Sequence, residues 1–182
     1  MKLSGRALLM GDNVNTDVLH PSRFYSLDDR KVRAGFLQAA AGYEEVGGSD
    51  LSGRIIVAGE SFGCGSSRET GARAFLLAGV RAVVARSLAR IFSRNVRNLG
   101  LPAVECPALT TLEPDTEVEI DLVAWTLRTA AGLELALTPL DPFWVAVLSA
   151  GGLMPFLGLG HEAVQPPPPL ATIRRGPARD SR

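Results

Sequence analysis

A chain of 182 residues that is 46% hydrophobic carries enough apolar surface for one well-buried domain. Its formal net charge of zero excludes a general polyanion binder, and no stretch approaches the roughly 18 apolar residues of a membrane-spanning helix. Two cysteines and a short N-terminal apolar run, Ala7 to Met10, exclude a disulfide framework and predict a soluble, cytoplasmic protein with free thiols.

In chain order, Arg6 to Met10 predicts a first strand. The polar loop Asp12 to Asp17 follows, with side chains suited to hydrogen-bonding local backbone. Val32, Phe36 and Leu37 fall at helical spacing and predict a helix over Asp28 to Ala41, broken by Gly47 and Gly48. From Arg54 the pattern alternates: strand Arg54 to Ala58, helix Arg68 to Ala78, strand Arg81 to Ala85, helix Leu88 to Asn98, strand Leu101 to Val104. That alternation predicts an α/β fold with a mostly parallel sheet flanked by helices and joined by right-handed crossovers. After Pro107 the texture changes. Val118 to Leu122 alternates, and Gly132 separates Thr126 to Thr129 from Leu133 to Leu137, which predicts a hairpin-rich β portion. Phe143 to Ala150 predicts a last helix ended by Gly151 and Gly152. Pro166 to Pro169 and the polar run Arg174 to Arg182 cannot bury a core, so residues 1–159 are expected as the domain and 160–182 as a disordered tail.

The segment Gly59-Glu60-Ser61-Phe62-Gly63-Cys64-Gly65-Ser66-Ser67-Arg68-Glu69 stands where the second strand hands over to a helix. A helix N-terminus points unpaired N–H groups and a positive dipole end at its surroundings, which suits a carboxylate or an alkoxide. Ser66 followed by Glu69 also reads as a capping box with no chemistry at all. Arg68 tilts the reading toward an anion site, because a cation in the first helical turn opposes the dipole by about 0.3 to 1 kcal/mol unless a negative group arrives. Gly63 and Gly65 flank Cys64 and permit close approach of backbone to a ligand.

The run Gly63-Cys64-Gly65-Ser66-Ser67-Arg68-Glu69 resembles the signature of the swivel domain of the aconitase superfamily, in particular the small subunits of 3-isopropylmalate dehydratase and homoaconitase-like enzymes. Gly11-Asp12-Asn13-Val14-Asn15-Thr16-Asp17 with Pro21 is similar to the family's N-terminal Asp-rich motif. Ala85 to Phe92 through Asn95, then Asn98-Leu99-Gly100-Leu101-Pro102, is similar to its segment ending in Asn-x-Gly-Leu, and Leu148 to Leu153 resembles its closing helix and turn. The resemblance implies a swivelling β/β/α domain that moves a hydroxyl between adjacent carbons of a hydroxy di- or tricarboxylic acid by dehydration and rehydration. Ser66 is implied as the base, acting as an alkoxide, with Ser67 and Arg68 on substrate carboxylates and Gly63, Cys64, Gly65 and Asp17 supporting the loop. It also implies a large partner subunit carrying a 4Fe-4S cluster that acts as Lewis acid. Such a cluster needs three thiolates, which two cysteines cannot supply. No metal of this chain's own, no nucleic acid and no membrane are expected.

Two departures bear on the substrate. Thr70-Gly71 stands where relatives continue with His-Ala or Gln-Ala, and Phe24-Tyr25-Ser26-Leu27 stands where they carry Tyr-Leu-Arg-Thr-like or Tyr-Leu-Val-Tyr-like loops. Ser26 therefore replaces the arginine that recognises an extra carboxylate, while Phe24, Tyr25 and Leu27 favour an apolar arm and Arg23 stands close by. Isopropylmalate or another alkylmalate is expected, with homoaconitate and citramalate as alternatives. Other classes remain in view. Cys64 or Ser66 with His20 or His161 would make a hydrolase. Arg86, Arg90, Arg94 and Arg97, read as one helix face, would suit an acidic partner, a polycarboxylate or a non-catalytic ligand- or RNA-binding module.

Overall fold

The computed structural model describes residues 1–38, 40–43, 46–65 and 68–159. One seven-stranded sheet organises them, in the order β4-β3-β2-β1-β5-β6-β7. β1 (Lys2–Met10), β2 (Arg54–Ala58), β3 (Ala82–Ala85) and β4 (Ala103–Glu105) run parallel, whereas β5 (Glu117–Asp121), β6 (Thr126–Thr129) and β7 (Glu134–Ala136) are antiparallel. The expected helix-flanked parallel sheet and hairpin-rich portion are therefore two halves of a single sheet.

The continuous apolar runs of β2 and β3 arise because both faces of these strands are covered. Alternate residues divide between two cores: Ile56, Ala58, Val83 and Ala85 face a cluster with Phe36, Phe62, Phe75 and Phe92 from the helical side, and Ile55, Val57, Ala82 and Val84 face a cluster with Leu109, Leu112 and residues of β5 and β6. Val84 and Val104 at one end of the strand order share that second cluster with Ile120 and Leu127 from the other half, so the sheet curls over its own back face.

The helices are α1 (Thr16–Leu19), α2 (Asp29–Ala34), α3 (Glu69–Leu77), α4 (Arg90–Asn98), α5 (Pro142–Ser149) and α6 (Leu153–Phe156), with a 3-10 turn at Ser22–Phe24. Several departures have local causes. β1 begins at Lys2 because β5 pairs with its polar first half while β2 pairs with the apolar second half. The helix expected over Asp28 to Ala41 ends after Ala34. There the Leu37 N–H turns to the Leu19 carbonyl at 2.7 Å, and Leu37 adopts a φ of 61°, although Val32, Phe36 and Leu37 are all fully buried as their spacing requires. α1 arises inside what reads as a loop, with Asn15 as its N-cap accepting from the Asp17 N–H at 2.7 Å. Among the described residues no helix is long and apolar enough to cross a membrane. The expected tail, 160–182, lies outside them.

Candidate functional site

The Asp12–Asp17 motif and the glycine loop are stitched into one unit beyond the carboxyl ends of β1 and β2. The Asn13 N–H donates to the Glu60 carbonyl (2.7 Å), the Gly63 N–H to the Val14 carbonyl (2.9 Å) and the Thr16 N–H to the Cys64 carbonyl (2.8 Å). The Cys64 thiol donates to the Asn13 carbonyl at 3.3 Å. Asp12 Oδ1 accepts from the Glu60 N–H and from Arg86, each at 2.7 Å, and those two donors hold its carboxyl below the usual range, the Glu60 N–H being the larger cause. On the far side the loop is pinned to the end of β3 and the start of α4, through Phe62 N–H to the Ser87 carbonyl (3.1 Å) and Ala89 N–H to the Phe62 carbonyl (2.9 Å).

The two loop glycines are required twice over. Gly63 has a φ of +82° and Gly65 a φ of +107°, conformations that L residues rarely adopt. A Cβ at Gly63 would run into the Phe92 ring, and one at Gly65 into the Asn15 side chain. The loop thus packs tightly against both the aromatic core and the N-cap of α1.

Arg68 is the N-cap of α3, with extended backbone (φ −80°, ψ 132°), so Glu69 is the first helical residue. This corrects two expectations. Arg68 is not inside the first turn, and Glu69 is too early to complete a capping box with Ser66, since the pairing requires it at the third helical position. Arg68 is exposed, its guanidinium carbon 4.8 Å from the centre of the Tyr25 ring. A hydrogen bond with Tyr25 and the nearby Asp17 carboxylate push its pKa up. The Tyr25 hydroxyl in turn donates to Asp17 Oδ1 at 3.1 Å. Behind Tyr25 the fully buried His20 ring stacks at 5.5 Å, with Nε2 2.9 Å from the Val32 carbonyl. Ser66 and Ser67, expected as base and substrate ligand, lie outside the described residues, as does His161.

This architecture has known counterparts. The family described as the aconitase C-terminal domain matches residues 9–109. The chain is 40% identical over 157 residues to the 3-isopropylmalate dehydratase small subunit of Thermodesulfovibrio yellowstonii (85% of this chain, 92% of that protein) and 41% identical over 160 residues to that of Aquifex aeolicus (86% and 94%). This chain belongs to the aconitase C-terminal domain family. In three dimensions it superposes on the crystal structure of 3-isopropylmalate dehydratase (leuD) from Methanocaldococcus jannaschii with a TM-score of 0.78 at 32% identity, covering 87% of this chain and 94% of that one.

Other residues expected at the site of this aconitase C-terminal domain have local partners. Ser26 Oγ accepts from the Asp28 N–H (3.1 Å), just before α2. The Arg23 guanidinium lies over the Phe24 ring at 4.9 Å. Leu27 is 93% exposed, while Tyr25 is turned to His20, Asp17 and Arg68. Tyr25, expected with Phe24 and Leu27 to favour an apolar arm, instead meets polar partners, which an aromatic in a variable loop does not announce. The Asp12–Arg86 brace was missed as well, since nothing in the spacing links residues so far apart.

The single arginine face does not form. Arg86 follows β3 and pairs with Asp12, and Arg97 folds back to donate from Nε (2.9 Å) and a terminal nitrogen (2.7 Å) to the Ala103 carbonyl beneath Trp144. Arg90 and Arg94 alone of the four are exposed. The hydrolase pair of Cys64 and His20 is not assembled either: His20 Nε2 is taken by Val32, and Nδ1 is buried with no hydrogen-bond partner among the described residues. The thiols do not fit a cluster. Cys64 is in the loop, whereas Cys106 is fully buried in the opposite core, where burial pushes its pKa up.

Proposed function

We propose that this chain is the small subunit of a two-subunit hydro-lyase that isomerises a 2- or 3-hydroxy acid through an alkene, most simply 3-isopropylmalate in leucine synthesis or another alkylmalate, in the cytoplasm. The observation that carries the reading is near full-length likeness to 3-isopropylmalate dehydratase small subunits, in a chain whose glycine loop delivers an exposed Arg68 to the start of α3. The 4Fe-4S cluster is assigned to the large subunit, because Cys64 and Cys106 stand in different layers and cannot share one.

This chain's part is proton transfer and substrate orientation. Ser66 takes the proton from the carbon next to the departing hydroxyl. A free serine is far too weak an acid for this, so the positive end of the nine-residue α3 and the neighbouring guanidinium must favour the alkoxide. Arg68 receives a substrate carboxylate with its planar fork, and Ser67 donates to the same end of the molecule. Closure of the large subunit over the loop excludes water and strengthens each of these interactions. Ser26 brings no charge to the distal arm, and Arg23, the cation of that loop, lies over the Phe24 ring, which disfavours homoaconitate.

The test is anaerobic reconstitution with the cluster-bearing subunit, screened on isopropylmalate, citramalate, dimethylmalate and homoaconitate. Turnover appears only in the mixture, and an alkylmalate gives the highest kcat/KM. In the same assay Ser66→Ala forms the complex and loses at least about 100-fold in kcat. Near-normal turnover by that variant removes Ser66 from the base role, and a preference for homoaconitate overturns the apolar-arm reading.

A further inference from the structure

Tyr25 makes three contacts that converge on one side chain. Its ring rests on His20, a fully buried imidazole 5.5 Å away and inclined by only 21°, and His20 is itself fixed by its contact with the Val32 carbonyl. The hydroxyl donates to Asp17 Oδ1, and Asp17 is held by the Asn15 cap at the start of α1. Arg68, exposed and at the first non-helical position before α3, lies over this ring. Tyr25 is thus anchored from the buried side and by its hydroxyl, and it presents a fixed face to an exposed cation.

An exposed arginine left to itself samples many rotamers, and immobilising it on a ligand costs side-chain entropy. An aromatic face within about 6 Å of the guanidinium meets part of that cost before binding, and the residual attraction at an exposed site corresponds to roughly a twofold to fivefold population bias. Asp17, bonded to the hydroxyl, adds a nearby countercharge. The guanidinium is therefore held beside the loop before any ligand binds.

We propose that Tyr25 is the positioning residue for Arg68: seated on His20 and tethered to Asp17, it holds the guanidinium in place before the substrate carboxylate arrives. This inference rests on Arg68 being the ligand of that carboxylate. The effect falls on substrate capture rather than on proton transfer, so it is read in KM.

The experiment uses the reconstituted complex with Tyr25→Phe, Tyr25→Leu, Arg68→Ala and the Tyr25→Leu/Arg68→Ala double variant, assayed on the best alkylmalate of the screen. Melting temperatures of the isolated chains are measured in parallel. Tyr25→Leu raises KM about threefold to tenfold with kcat within about twofold, and Tyr25→Phe, which keeps the ring but loses the hydroxyl's links to Asp17 and Arg68, recovers part of the loss. In the Arg68→Ala background Tyr25→Leu adds nothing further. Unchanged KM in Tyr25→Leu alongside a large rise in Arg68→Ala overturns the role of Tyr25 and leaves that of Arg68 standing. A fall in kcat and melting temperature without a change in KM, or an equal effect with and without Arg68, also overturns it, because Tyr25 is then only structural. If Arg68→Ala itself leaves KM untouched, the carboxylate reading of the site fails.

Discussion

His20 shows how a single side chain in this fold couples solution pH to stability. Its ring is fully buried, its Nε2 faces the Val32 carbonyl as a donor, and its Nδ1 lone pair has no partner among the described residues. Burial, outweighing the Val32 hydrogen bond, pushes its pKa down from the ordinary value of 6.5, so the folded chain keeps the ring neutral. A depressed folded pKa means that the unfolded chain binds the proton more readily, so stability falls as pH drops through about 6.5 toward the folded value and is regained above it. Asp12, Asp28, Asp115, Asp121 and Glu134, whose pKa values are also lowered, destabilise the fold only at more acid pH, below their unfolded values near 4. Among the described residues, a loss of stability that begins as pH falls below about 6.5, ahead of these carboxylates, is the effect expected of His20. Thermal unfolding at pH 7.5 and 5.5 shows a lower melting temperature at the acid value, and His20→Gln, which keeps a donor toward Val32 but does not titrate, flattens that difference. An unchanged slope in the variant assigns the effect elsewhere. The sequence offers His20 as a base, and the structure makes it a packed core side chain. What decides between them is the Tyr25 stack and the turn that brings the Val32 carbonyl to Nε2, neither of which a lone His before a Pro encodes.

At the scale of elements, legibility follows the number of faces a segment buries. β2, β3 and β6 are readable because their apolar patterns are long or flanked by clear breakers, and α3 and α4 because Ala72, Phe75, Phe92 and Val96 repeat at helical spacing beneath the sheet. The first half of β1 is not readable, since Lys2, Ser4 and Arg6 face solvent and only pairing with β5 makes them a strand. The start of α3 is expected at Arg68, but the backbone is still extended there and the helix begins at Glu69. α2 is a weak element with one strong local determinant. Asp28 caps it by accepting from the Arg30 N–H at 2.9 Å, while its own N–H is taken by Ser26. Asp28→Ala therefore destabilises the chain by about 0.5 to 2 kcal/mol in urea unfolding. Because the cap adjoins the Tyr25–Leu27 loop, amide exchange in the variant accelerates there first. Arg73, which reaches from α3 to the Leu27 carbonyl and to Asp29, limits how far the loop departs.

The molecule as a whole places its two thiols in different worlds. Cys106 follows β4 and is sealed in the core beneath the curled antiparallel half, whereas Cys64 is half-buried between Gly63 and Gly65 on the loop that carries Arg68. This asymmetry allows the docking direction of the large subunit to be read without any turnover. If substrate is enclosed between the glycine loop and a partner, that loop and its thiol are covered in the complex. Iodoacetamide at neutral pH labels Cys64 alone in the native isolated chain, and both cysteines after unfolding. Adding the large subunit then slows the labelling of Cys64 about tenfold or more, following the fraction of chain bound. The control is Cys64→Ser, which removes the native adduct and retains assembly. Labelling of Cys64 at an undiminished rate in a complex shown by sedimentation to be fully formed means that the partner docks elsewhere on the sheet. The glycine loop is then not part of the enclosed site, and carboxylate capture by Arg68 and its positioning by Tyr25 fall with it.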